Sequence, residues 1–103
     1  METFEYGYLY LVKTCEVDPS GQIKFQSRGP SLAILRLSSG LTISEYDDSL
    51  TVMGRVGAEG WILGESSYVD SGSPPRCSDE IKRQMPGYDG WGYWSYFMRR
   101  RSR

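Results

Sequence analysis

Apolar and polar positions alternate at the start of the chain, where residues 4–14 read FEYGYLYLVKT. Aromatic or apolar side chains occupy every second position from Phe4 to Val12, whereas Leu9 and Leu11 fall on the other face. This pattern is typical of a strand that is covered on both faces at its centre. We therefore predict that the first strand lies in the interior of a sheet.

A hairpin is predicted next. Residues 18–21 read DPSG, with proline at the second turn position and glycine at the fourth, and residues 22–27 alternate again. Gly29 and Pro30 are expected to end this second strand. Residues 31–37 form a compact apolar run without a decisive period, so a strand and a short helical segment both remain open, and we favour the strand.

The main helix is predicted to begin at residues 44–47, SEYD, which have the form of a capping box with Asp in place of the usual Glu. Leu50 and Met53 then recur at helical spacing. Gly54 and Gly57 lower helix propensity, so we expect them to permit close packing of the helix against the sheet.

The second half of the chain predicts a strand at residues 61–69, a long insertion over 70–90 and a last strand at 93–100. A short helical turn is expected inside the insertion, from Ser78 to Met85. The whole pattern predicts an α+β fold. It is a mainly antiparallel sheet of four to five strands, with one main helix packed on one face.

Length and charge divide the chain into a body and a tail. The 103 residues are enough for one domain, which we assign to residues 1–98, followed by a basic C-terminal tail at 99–103. Four of these last five residues are arginine, and the net charge of the whole chain is −1, so the body carries −5. We expect the tail to be a solvated end, although it has the charge to contact phosphates or an acidic partner.

Composition argues against catalysis. The chain contains no histidine, which removes the commonest metal ligand and the usual general base, and we predict neither an enzyme nor a cofactor. Cys15 and Cys77 are read as free thiols, with one disulfide as the alternative. No apolar run approaches the ~20 residues of a membrane-spanning helix, and Glu2 and Glu5 do not suit a signal peptide, so a soluble, cytoplasmic protein is expected.

Aromatic residues mark the candidate binding surface. Residues 87–94, GYDGWGYW, do not join a strand to a helix as a nucleotide-binding glycine loop does, so a turn or a β-bulge is predicted there. Rings beside cations can stack on a base while the cations bind phosphates. On this reasoning the predicted ligand-binding residues are Arg76, Lys82, Arg83, Tyr88, Trp91 and Trp94.

A family resemblance follows from two segments. Residues 56–63, VGAEGWIL, and the later run Phe97-Met98-Arg99 resemble short bacterial and phage proteins of unknown function that share an L-G-x-E-G-W-E-L helix-to-strand motif and a terminal F-K-R strand. Val56, Ile62 and Met98 depart from that pattern. The resemblance implies a compact sheet with one helix across it, and it implies no activity. The motif itself predicts a left-handed turn at Gly60 and a buried ring at Trp61.

The function expected from the sequence is a small binding module for an anionic, nucleotide-like ligand, with assembly as a homo-oligomer left open. A phage protein that sequesters a host immune signal would fit this size by analogy. The alternative is a protein-interaction module that regulates a host protein, with the same rings as its hot spot. Nucleic-acid binding ranks third, because the basic tail would have to overcome an acidic body.

Overall fold

The computed structural model describes residues 3–69 and 78–102. These residues form a five-stranded antiparallel sheet in the order β3-β2-β1-β5-β4. The predicted α+β class with a mainly antiparallel sheet is confirmed, and the fold is richer in strand than predicted. Its elements, in chain order, are β1 (Phe4–Val17), β2 (Ile23–Leu37), β3 (Gly40–Glu45), α1 (Ser49–Ala58), β4 (Ile62–Val69), α2 (Ser78–Gln84) and β5 (Tyr88–Arg101).

The strand β1 is the centre of the sheet, as its two-sided apolar pattern predicts. It pairs with β2 along one side and with β5 along the other. Leu9 and Leu11 belong to a core cluster with Val52 and Val56 of α1. The alternate residues of β1 face the other way, into a second cluster that contains Ile81 of α2. The two helices therefore pack on opposite faces of the sheet.

Neither helix is long enough to cover its face. At about 3.4 Å per residue the 14 residues of β1 extend roughly 47 Å, whereas the 10 residues of α1 rise about 15 Å. The molecule is elongated accordingly, with extents of 53 × 24 × 19 Å. Part of each face consequently lies outside the helices, and large apolar side chains remain exposed there.

The strand β2 runs without interruption through Gly29 and Pro30, so the predicted break is wrong, and residues 31–37 are a strand as favoured. The pairing with β1 shifts register at this point. A register shift leaves a residue outside the ladder, which lets a proline remain in the strand although it lacks an N–H donor. The Pro30 carbonyl instead accepts a 2.8 Å hydrogen bond from the hydroxyl of Thr14.

The predicted helix start at residues 44–47 is also wrong. Ser44 lies in β3, paired with Ala33 of β2, and the helix begins later with Asp48 as its N-cap. The Asp48 carboxylate accepts a 3.1 Å hydrogen bond from the backbone N–H of Leu50, which satisfies one of the free donors of the first turn. Cross-strand pairing therefore prevails over a capping pattern that is plausible only locally.

The strand β5 is longer than predicted at both ends. It begins at Tyr88 and continues to Arg101, which pairs with Phe4 of β1. Three of the arginines assigned to the tail are thus part of the sheet instead of a solvated end. Near its start, successive β1 residues pair with Gly90 and Gly92, which leaves Trp91 as the extra residue of a bulge. The prediction of a bulge in residues 87–94 is confirmed.

The glycines of α1 do not have the packing role predicted for them. A Cβ atom added at Gly54 or Gly57 would meet no heavy atom within 4 Å, so neither glycine brings the helix close to the sheet. The tight position is Gly7 in β1. A Cβ atom there would lie 2.8 Å from the backbone oxygen of Arg36 and 2.7 Å from a methyl carbon of Leu37.

We predict opposite effects of alanine at these glycines. Gly7→Ala should lower the free energy of unfolding by about 1–3 kcal/mol, because the backbone of β2 cannot easily move away. Gly54→Ala should raise it by about 0.5–1 kcal/mol, because alanine favours the helix and the position is open. Urea unfolding followed by circular dichroism measures both. A stabilising Gly7→Ala would show that β1 and β2 are not packed this closely.

Candidate binding site

Two of the three cations predicted to bind a ligand, Lys82 and Arg83, are already paired with carboxylates. The ammonium group of Lys82 lies 3.2 Å from the Asp89 carboxylate. The guanidinium group of Arg83 lies 2.7 Å from the carboxylate of Glu80, one turn earlier in α2. An anionic ligand at these residues would have to compete with two ion pairs. Arg76, the third predicted cation, lies outside the described residues.

The predicted rings are distributed over different parts of the sheet. Tyr88 packs against Gly29, where an added Cβ would lie 2.5 Å from its ring. Trp91 lies beneath the Arg28 guanidinium, with 5.7 Å between that group and the ring centroid. Trp94 contacts Tyr68 of β4 at a centroid distance of 5.1 Å, on the face that carries α1. The five predicted residues that the structure describes therefore do not converge on one pocket.

The cysteine within the described residues is inert. Cys15 is a free thiol, as predicted, and it is completely buried. Burial raises the pKa of the Cys15 thiol, the nearby Asp89 carboxylate adds to the increase, and Arg28 opposes it. A buried thiol with a raised pKa is a poor nucleophile. Cys77 lies outside the described residues.

A different aromatic surface lies on the face that carries α2, beyond the N-terminal end of that helix. We call it the aromatic row and define it as Phe4, Tyr6, Tyr8 and Phe97. All four side chains are exposed, by 39% to 54%. The Phe97 ring lies 5.6 Å from the ring of Tyr6 and 5.6 Å from that of Tyr8, measured between centroids. Ile62 of β4, 60% exposed, extends the same apolar surface.

The three arginines at the end of β5 face in two directions because side chains alternate along a strand. Arg99 and Arg101 fall on the side of the aromatic row, paired across the sheet with Tyr6 and Phe4. The Arg99 guanidinium lies 5.7 Å from the centroid of the Phe4 ring, a cation–π contact. Arg100 points to the opposite side.

These arginines line a groove beside the turn between α1 and β4. We call it the arginine groove, and its volume is about 640 Å³. Its lining combines cations, one carboxylate and apolar surface, with three arginines against a single glutamate. The lining residues are Phe4, Glu59, Gly60, Ile62, Arg99, Arg100, Arg101 and Ser102. The excess of positive charge favours an anion.

Arg100 is a structural residue. Its guanidinium lies 3.2 Å from the Glu5 carboxylate, donates a 3.1 Å hydrogen bond to the Glu59 carbonyl and stacks 4.3 Å from the centroid of the Trp61 ring. These contacts join β1, the end of α1 and a tryptophan that is buried, as predicted. Gly60 has a φ of 90°, so the predicted left-handed turn is also confirmed. Of the three arginines, Arg99 and Arg101 thus face the aromatic row.

Searches of protein-family profiles, of curated proteins and of solved structures found no match to the chain. The resemblance to the L-G-x-E-G-W-E-L proteins therefore stays a prediction. Within the described ranges, no helix has the length and apolar character needed to cross a membrane.

We predict that Arg100 and Arg99 differ in their effects on stability. Arg100→Ala should lower the free energy of unfolding by about 1–3 kcal/mol, because it removes a charged hydrogen bond, an ion pair and a cation–π contact together. Arg99→Ala should change it by no more than about 0.5 kcal/mol, as exposed substitutions usually do. Thermal and urea unfolding of both variants measure this difference, and equal losses would contradict the division of roles.

Proposed function

We propose that this protein is a non-enzymatic binding module that holds a nucleotide-like anion in the arginine groove with its ring against the aromatic row. The observation that carries the proposal is the direct contact between the two surfaces. Arg99 and Phe4 lie side by side, so a single ligand would meet a cation and a ring without any rearrangement of the sheet.

The chemistry of the two surfaces matches the two parts of a nucleotide. Aromatic side chains stack on bases whatever their sequence, at about 1–3 kcal/mol per base. Guanidinium groups bind phosphate oxygens through paired, charge-assisted hydrogen bonds. The groove volume of about 640 Å³ also falls within the range of roughly 300–1,000 Å³ that is usual for small-molecule sites.

The groove supports binding more readily than catalysis. Arginine stays protonated and donates hydrogen bonds only, so Arg99, Arg100 and Arg101 cannot accept a proton from a substrate. Glu59 is the one carboxylate among the described lining residues. The proposal keeps the ligand class predicted from the sequence and moves the site to other residues. A homo-oligomer and the sequestration of a host immune signal remain predictions.

A protein partner is the second candidate, and a specific observation favours it. Ile62 and Tyr6 are 60% and 54% exposed on the same face, next to an arginine. Neighbouring exposed apolar side chains mark interaction surfaces, and Tyr with Arg is a frequent hot-spot combination. In that case the rings would be buried by another protein, and nucleotides would not bind there.

Arginine variants test the anionic half of the site. Titration calorimetry with AMP and ADP should show binding to the native protein, tighter for ADP because it carries more negative charge. Arg99→Gln should weaken ADP binding about tenfold or more, the effect of losing roughly 1.4 kcal/mol. Arg55→Gln is the matched control, because Arg55 is exposed on α1, away from the aromatic row. Equal effects of the two variants would argue against the site.

Variants of aromatic residues test the stacking half. Phe4→Ala should weaken ADP binding, because Phe4 lines the arginine groove. Tyr68→Ala should not weaken it, because Tyr68 is 50% exposed but lies with Trp94 on the other face. Lys82→Ala should also leave ADP binding unchanged if the arginine groove is the site. Loss of binding with Lys82→Ala and not with Phe4→Ala would return the site to the residues predicted from the sequence. No nucleotide binding at all would favour the protein partner.

A further inference from the structure

The aromatic row extends well beyond the arginine groove. Phe4, Tyr6 and Tyr8 follow one another at every second position of β1, so adjacent rings are offset by about 6.8 Å along the strand. From Phe4 to Tyr8 the row therefore spans roughly 14 Å. Phe97 fills the neighbouring position on β5, opposite Tyr8. A mononucleotide in the groove would contact the Phe4 end and leave most of the row unused.

A further cation lies at the other end of the row. Arg36 of β2 pairs directly across the sheet from Tyr8, so it is on the same face, and it is exposed. It also lines a second groove, of about 430 Å³, between the turn after β2 and the start of α2. The row is thus flanked by arginines on both sides, with Arg99 and Arg101 on β5 opposite Tyr6 and Phe4, and Arg36 on β2 opposite Tyr8.

From this arrangement we infer that the ligand of the face is a single-stranded nucleic acid of three or more nucleotides, an inference that rests on the proposed function. Its bases stack along the aromatic row, and its phosphates contact the arginines that flank the row on β2 and β5. Bases that stack on the rings are separated from one another, so the strand is extended, and one base on each of Phe4, Tyr6 and Tyr8 places about three nucleotides on the span of roughly 14 Å.

The same geometry disfavours a duplex. In a double helix the faces of the bases are covered by their neighbours, so rings on a flat sheet cannot stack on them. Binding should also be only moderately salt-dependent. Three phosphate contacts, to Arg36, Arg99 and Arg101, give a slope of about −2 in a plot of the logarithm of the association constant against that of salt concentration. Asp79 and Glu80 beside the second groove limit extension of the strand in that direction.

The position of the arginines in the fold matters more for nucleic-acid binding than the net charge of the chain. The sequence predicts nucleic-acid binding only if a basic tail overcomes an acidic body. In the structure Arg99 and Arg101 are part of β5, beside the rings, so phosphates meet them at short range. Because bulk salt screens exposed charges over about 8–10 Å, these neighbours matter more than the charge of distant surfaces.

Oligonucleotide length provides the test. Fluorescence anisotropy with labelled deoxythymidine di-, tetra- and octanucleotides should show the tetranucleotide binding about tenfold more tightly than the dinucleotide, and the octanucleotide little more tightly than the tetranucleotide. A duplex of the same length should bind more weakly than either long single strand. Equal affinities for the di- and tetranucleotide, or a preference for the duplex, would overturn the inference.

A variant separates this inference from the proposed function. Arg36→Gln should weaken tetranucleotide binding severalfold and leave ADP binding in the arginine groove unchanged, while Arg55→Gln should affect neither. Unaltered melting temperatures show that the variants are folded. If Arg36→Gln has no effect on the tetranucleotide while ADP still binds, the inference is wrong and the proposed function stands. If neither ADP nor any oligonucleotide binds, both are wrong.

Discussion

The pairing of β1 with β5 determines the rest of the structure. Both strands have 14 residues, and they remain hydrogen-bonded from the Phe4–Arg101 pair to the Glu16–Tyr88 pair. Neither helix among the described residues matches that length. The sheet therefore buries its apolar residues in two separate clusters, one under α1 and one under α2, on opposite faces. Exposed rings are the consequence of a sheet that is longer than its helices.

Because side chains alternate between the two faces of a strand, the terminal arginines also have different roles. Arg100 faces Trp61 and the end of α1, where an ion pair and a hydrogen bond hold it in the structure. Its neighbours Arg99 and Arg101 face the aromatic row, where Arg99 contacts Phe4. A run of identical residues thus supplies one structural cation and two cations on the side of the aromatic row. This assignment depends on the strand, because a solvated tail would leave all three equivalent.

Sequence patterns predicted the features that depend on local order. Two-sided alternation in residues 4–14 identified the central strand, and the glycine and tryptophan at 60 and 61 identified the turn and the buried ring. The errors have non-local causes. The segment containing Ser44 forms a strand because β2 is available to pair with it, and residues 29–30 stay in a strand because β1 shifts register beside them.

The described residues of the site predicted from the sequence lie apart for the same physical reason. Rings that are close in sequence, such as Trp91 and Trp94, are separated by a bulge and by strand alternation. The cations near them form ion pairs with Asp89 and Glu80 that no local pattern reveals. The aromatic row was visible as alternation in β1. The sequence did not reveal where α2 packs. It therefore did not reveal that this helix leaves the aromatic row exposed.

The edge strand β4 is poorly suited to pairing with another strand, which favours binding on the face of the sheet instead. The edge strand β4 shifts register against β5 between Leu63 and Ser66, and a Cβ added at Gly64 in this interval would lie 3.3 Å from the backbone oxygen of Phe97. An irregular edge strand resists the addition of another strand, because its free N–H and C=O groups no longer form a straight ladder. A ligand that meets this side of the molecule is therefore more readily held by rings and guanidinium groups than by backbone pairing. Bases that stack on the rings, with phosphates at the guanidinium groups, would satisfy that requirement.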